Sequence, residues 1–125
     1  MLKLQVFQKA YQLSLEVHRL SLEFPKREQF ALADQLRRCS KAICSLLVEG
    51  FGRNQSPKEK LQYVRMANGS NDETKLWLQY AVDLGYLPAE TCQGLMERYE
   101  EVGRMLHGLQ VSLTKEKPMQ NSRTT

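Results

Sequence analysis

Apolar residues recur along most of this chain at alternating steps of three and four. Val6, Ala10, Leu13, Val17, Leu20 and Phe24 make the first such run. A row of this kind lies along one side of an α-helix, so it predicts a helix over residues 3–24 with one face to bury. The second run is Leu32, Leu36, Cys39, Ile43, Leu46/Leu47 and Gly50, predicting a helix over 26–52. The third is Tyr63, Ala67, Ser70, Thr74, Trp77, Ala81 and Leu84, and the fourth is Cys92, Leu95, Tyr99, Val102, Leu106, Leu109 and Leu113. No segment alternates with a period of two, so the chain is expected to be all-α. Four such helices with short connections predict an antiparallel up-down four-helix bundle over residues 1–114.

The breaks between runs carry their own signals. Pro25 forces the preceding residue out of the helical region and can open the next helix. Ser56-Pro57-Lys58-Glu59 reads as a capping box with proline at the first helical position. Gly85 suits a helix C-terminus, and Pro88 and Glu90 restart the chain. In the third helix Asn68-Gly69-Ser70-Asn71 are poor helix formers, so either another helix packs close there or the helix bends. After Thr114 the apolar pattern stops, and residues 115–125 read as a disordered C-terminal tail.

At 125 residues the chain makes one domain, large enough to hold a core without staples. Three cysteines without CxxC spacing argue against structural zinc or a disulfide framework, and they read as small buried apolar residues. The N-terminus is too polar for a secretory signal, and no apolar run is long enough to span a bilayer. The expected location is the cytoplasm, without membrane association.

The first helix carries a second apolar row, Phe7, Tyr11, Leu15 and Leu22, with His18 in the gap. Such a wide face belongs either to one broad core or to a subunit interface.

Nothing in the chain combines into a catalytic set. His18 and His107 each lack a carboxylate three or four residues away. There is no GxxxxGK[ST], no GxGxxG, and no paired HxxE arrangement for a metal in a bundle. The chain is therefore expected to be no enzyme and to need no cofactor or metal. Glu49 follows Leu46-Leu47-Val48 and precedes Gly50, so it is expected near buried surface, held by Arg53 or Arg38. Glu73 invites the same structural reading.

Net charge is +4, unevenly spread. Residues 1–86 carry 13 lysines and arginines against 9 carboxylates, whereas residues 87–114 carry 2 against 4. Arg37, Arg38 and Lys41 cluster on the second helix, Arg53 lies further along, and Lys58 and Lys60 open the third. Either these are a solvated face, or they form a surface for phosphates whose affinity falls with salt.

Several separated motifs carry a resemblance. Phe24-Pro25, Glu28-Gln29-Phe30, Leu32, Gln35-Leu36-Arg37-Arg38, Ile43, Val48-Glu49-Gly50-Phe51-Gly52-Arg53, Gly69-Ser70, Glu73 and Gly85-Tyr86-Leu87 occur in an order that resembles the bacterial family of 23S rRNA intervening-sequence proteins. The resemblance covers residues 4–112. It implies an up-down four-helix bundle that forms a ring-shaped homopentamer. It is partial at Ala42-Ile43, Leu46 and Asn68, where the family often carries Ser-Ile, Asn and Arg. A related branch, the accessory protein of diversity-generating retroelements, resembles a basic pentameric bundle that binds a reverse transcriptase and its RNA.

Two functions compete on this basis. One is an oligomeric protein binding RNA or DNA, with structured RNA favoured, through Arg37, Arg38, Lys41, Arg53, Lys58 and Lys60. The other is a scaffold docking a protein such as a reverse transcriptase.

Overall fold

The structure is a computed structural model that describes residues 2–52 and 54–124, with side chains through Lys115. Four α-helices account for most of it: α1 Gln5–Ser21, α2 Leu32–Phe51, α3 Pro57–Asp83 and α4 Ala89–Thr124, with a short 3-10 turn at Lys26–Glu28. No strand occurs among the described residues. Helix α1 packs on α2, α2 on α3 and α3 on α4, and α4 returns to α1 at the sparsest of the four seams.

Side-chain pairs across the seams set the register. His18 and Ser21 of α1 meet Lys41 and Arg37 of α2. Gly50 and Cys39 of α2 face Tyr63 and Thr74 of α3. Leu78 and Asn71 of α3 meet Cys92 and Tyr99 of α4. Glu16 and Lys9 of α1 pair with Arg98 and Glu101 of α4. In every seam, residue numbers rise on one helix as they fall on the other, so all four contacts are antiparallel. The fold is the expected up-down four-helix bundle.

Local chemistry explains where the helices begin and end. Ser56 Oγ accepts the Glu59 amide at 3.2 Å and the Glu59 carboxylate accepts the Ser56 amide at 3.0 Å, a complete capping box with Pro57 at the first position. Gly85 has φ +81°, the left-handed conformation that closes α3. The Tyr86 and Gly85 amides then donate to Ala81 and Val82, a Schellman closure.

Helix α2 begins at Leu32, not near residue 26. Side chains account for this: Gln29 Nε2 donates to the carbonyls of Ser21 and Phe24 at 2.9 and 3.0 Å, and Glu28 Oε1 accepts the Leu32 amide at 3.3 Å. Those bonds hold residues 21–32 as a tight corner, and a continuous helix would break them.

The core follows the expected stripes in α1, α2 and α4 but not in α3. There the buried row is Leu61, Val64, Ala67, Asn71, Thr74, Leu78 and Ala81, while Leu84 is exposed and Tyr63, Ser70 and Trp77 are half-buried. Burying Asn71 and Thr74 resolves the polar stretch in mid-helix. Asn71 Nδ2 donates to the Tyr99 carbonyl at 3.1 Å, and Thr74 Oγ1 donates to the Ser70 carbonyl at 2.8 Å. Gly103 lets α4 approach: a Cβ there would stand 3.2 Å from Asn71 Nδ2. Close packing is therefore the compensation at that point.

Phe7 corrects another expectation. It is only 3% exposed and belongs to the core, so the wide face of α1 is partly one broad core. Tyr11 stacks on it, centroids 6.1 Å apart, and stays half-buried with Leu15; Leu22 is exposed. The backbone of α4 runs on to Thr124, past the point where the apolar pattern stops. The side chains of 116–125 lie outside the described residues, and the expectation of a disordered tail falls there.

Candidate nucleic-acid interface

The basic residues divide between the two ends of the bundle, and the division decides which of them can meet a ligand. At one end the α1–α2 and α3–α4 connections come together. Phe24 and Tyr86 pack with ring centroids 5.7 Å apart, and the Tyr86 hydroxyl donates to Glu28 Oε2 at 2.8 Å. Arg27 lies over the Tyr86 ring at 6.0 Å.

Arg37 belongs to this latch. Its Nη1 donates to Ser21 Oγ at 2.8 Å and to Gln29 Oε1 at 3.2 Å, and its Nη2 donates to the Gln29 carbonyl at 2.7 Å. A guanidinium bound to three acceptors within the fold is a structural tie, which corrects its placement on a nucleic-acid surface. Arg38 is exposed, but its Nε pairs with Asp34 at 2.8 Å, so its charge is largely offset. Lys41 is exposed on the α1–α2 seam, where its Nζ sits 3.0 Å from His18 Nδ1. The His18 imidazole is held below the ordinary histidine range, first by burial and then by Lys41, Arg37 and Arg19. It is the neutral ring that accepts a hydrogen bond from the ammonium. Arg19, an exposed cation that sequence reasoning missed, lines the groove between α1 and α4 with Glu16, Glu90 and Arg98.

The other end is built around the α2–α3 turn. Gly50 lets the helices touch: a Cβ there would lie 2.7 Å from Tyr63 Cβ. Lys58 and Arg65, two turns apart, share one exposed face at the start of α3. Lys60 Nζ stands 5.6 Å from the centroid of the Phe51 ring. The ion pairs among the described residues are Lys9–Glu101, Arg38–Asp34, Lys75–Asp72 and Arg98–Glu16, so none takes Lys58, Lys60 or Arg65. The neighbouring Glu59 carboxylate is engaged with its cap. Arg53, the remaining expected cation of this end, lies outside the described residues. About 15 Å of α2 separates Lys41 from Phe51, so the expected surface is two surfaces.

Glu49 is exposed, which corrects its expected burial, and Arg38 faces Asp34 instead of Glu49. Position 49 falls on the solvent side of α2, beyond the buried Leu47 and Gly50. Glu73 is exposed as well.

Among the described residues no three His, Cys, Asp or Glu side chains are grouped to hold a metal. The cysteines are free: Cys39 and Cys92 are buried, and burial pushes the half-buried Cys44 thiol up to about 11. A groove of about 440 Å³ between α3 and α4 is lined by Asp72, Lys75, Glu100, Arg104 and His107, charges of both signs without a defined focus. No described helix is long and apolar enough to cross a membrane.

Antiparallel helices, a latch between two connections and exposed cations at the opposite end define a small all-α bundle with a candidate anion surface. The chain belongs to the 23S rRNA-intervening sequence protein family, whose model matches residues 2–108. Its fold is similar to the crystal structure of a protein of unknown function from the S23 ribosomal protein family of Bacteroides thetaiotaomicron. That similarity has TM-score 0.75 at 17% identity, covering 84% of this chain and 97% of the other. No curated protein matches the chain.

Proposed function

We propose that this chain is a non-enzymatic, homo-oligomeric protein that binds structured RNA through the cations at the α2–α3 end. The observation that carries the reading is that Lys58, Lys60 and Arg65 gather there, with no ion pair to any of them among the described residues. Phosphate binding needs cations whose charge is not already spent inside the fold, and the latched end does not offer its Arg37. Family membership supports RNA as the anion, because the family takes its name from insertions in 23S rRNA.

The oligomer is part of the proposal. Three or so cations on one chain bind weakly, whereas copies linked in a closed assembly act at high effective concentration. The resemblance described above favours a pentamer. A closed assembly would repeat the α2–α3 end once per copy.

Fluorescence anisotropy with labelled 23S rRNA fragments at two salt concentrations tests the reading. Binding that weakens steeply with salt is expected, by somewhat under one logarithmic unit per phosphate contact for each tenfold rise. Absence of binding at low salt overturns it, and capture of a protein in place of RNA supports a scaffold.

A further inference from the structure

We infer that the groove between α1 and α4 binds a small apolar molecule carrying one carboxylate. The carboxylate sits on Arg19, and the apolar body lies over Leu20, Gly94 and Leu95.

The groove lies on the sparsest seam of the bundle, the one that ion pairs bridge. Its cavity is about 420 Å³, the size of a small-ligand pocket. Gly94 opens it: a Cβ there would meet nothing within 4 Å. Leu95, a core residue, and the half-buried Leu20 give it apolar lining.

The charged groups on its walls differ in what they have left to offer. Arg98 Nη1 donates to Glu16 Oε1 at 2.8 Å, and its Nη2 donates to Glu16 Oε2. That hydrogen-bonded pair holds the Glu16 carboxyl below the ordinary carboxylate range, and the Arg19 charge adds to the effect. Glu16 is thus ionised, and it and Arg98 cancel. Arg19 is exposed, and none of the ion pairs among the described residues takes it. A guanidinium beside apolar surface suits a planar carboxylate on an apolar body.

Length decides between a small molecule and a partner helix. The Glu16–Arg98 bridge closes the groove at one end, and Glu90 marks the other, about 12 Å back along α4. Beyond the bridge the seam continues as a separate groove lined by Gln8, Gln12 and Glu101. A helix running along the seam would cross the bridge and break it, whereas a small molecule lies wholly on one side. Glu90, exposed and in no ion pair among the described residues, repels a second anionic group at the outer end. The site therefore selects a monocarboxylate over a dicarboxylate of the same length. It lies at the latched end, away from Lys58, and does not depend on RNA binding.

Octanoate, octanol and octanedioate share one carbon chain and differ only in their ends. Each is titrated into the isotope-labelled full chain while amide chemical shifts are followed. Octanoate is expected to shift Leu20, Gly94 and Leu95 saturably, and octanedioate to bind more weakly. Arg19→Gln at this exposed site should weaken octanoate about twofold to fivefold and leave octanol unchanged. Gly94→Phe fills open space and adds helix propensity, so it should abolish the octanoate shifts at a Tm no lower than the wild type's. A wild type whose groove amides do not move, a folded Gly94→Phe that still binds octanoate, or shifts confined to the exposed Leu76, Tyr80 and Leu84 of α3 would overturn the site. Octanoate binding that ignores Arg19→Gln, or octanedioate binding as tightly as octanoate, overturns the assignment of charge. Groove amides that move on dilution of the protein and not with octanoate give the groove to a second copy, and overturn the proposal as well.

Discussion

The two ends of this bundle use the same kinds of residue in opposite ways. Where the α1–α2 and α3–α4 connections meet, Phe24, Glu28, Gln29, Arg37 and Tyr86 spend their polar groups on one another and on backbone carbonyls. At the α2–α3 turn the chain is tied mainly by a capping box and a glycine contact, and Lys58 and Arg65 are exposed there. Arg37 at the first end is a structural part, and Lys58 and Arg65 at the second are exposed charges. Position in the fold decides the role, and net charge does not.

The largest effect should come from the latched end. Phe24 is 4% exposed, so Phe24→Ala is expected to lower stability by about 3–5 kcal/mol. Phe51 at the open end is only half-buried, and Phe51→Ala should cost clearly less in the same denaturant titration. Equal losses would erase the difference between the ends.

Arg37 sharpens the comparison at intermediate scale. Arg37→Met leaves Ser21 Oγ and the Gln29 carbonyl without their donor, for an expected loss of about 1–3 kcal/mol. Chemical denaturation at neutral pH checks this, and a wild-type midpoint would return Arg37 to the solvated surface.

The smallest effect is a pH dependence beside the latch. Burial, then Lys41, Arg37 and Arg19, hold the His18 imidazole below its ordinary 6.5. As pH falls through 6.5 the unfolded chain takes up a proton that the folded chain resists, so stability declines from there down to the folded value. His18→Gln should flatten that stretch of the Tm profile. A profile unchanged by the substitution would show that His18 does not titrate against Lys41.

Much of the fold was legible because it depends on local chemistry. The capping box at Ser56 and the closure at Gly85 need only neighbouring residues, and the apolar stripes need only helical period. The sites were less legible. Arg37, Arg38 and Lys41 look alike in sequence; only folding brings Ser21, sixteen residues back, to the Arg37 guanidinium. Glu49 follows three apolar residues, yet it falls on the solvent side because Leu47 and Gly50 take the core. The core row of α3 departs from the expected one at Asn71, polar by type, which is buried because its side chain has a partner on α4, whereas Thr74 is buried as its place in the stripe predicts. The outward row Leu76, Tyr80 and Leu84 had a signal in its steps of four, hidden by the neighbouring buried stripe.

The central claim is that charge at the α2–α3 end serves an external anion while charge at the latch serves the fold. Salt-dependent anisotropy with 23S rRNA fragments, run beside thermal melts, tests both halves on two variants: Lys58→Gln/Lys60→Gln/Arg65→Gln and Arg37→Met. The triple variant is predicted to keep its Tm while binding more weakly with a shallower salt slope. Arg37→Met is predicted to lose Tm and keep the slope. A triple variant that binds with wild-type affinity and slope, or an Arg37→Met variant that loses slope at wild-type Tm, would contradict the account.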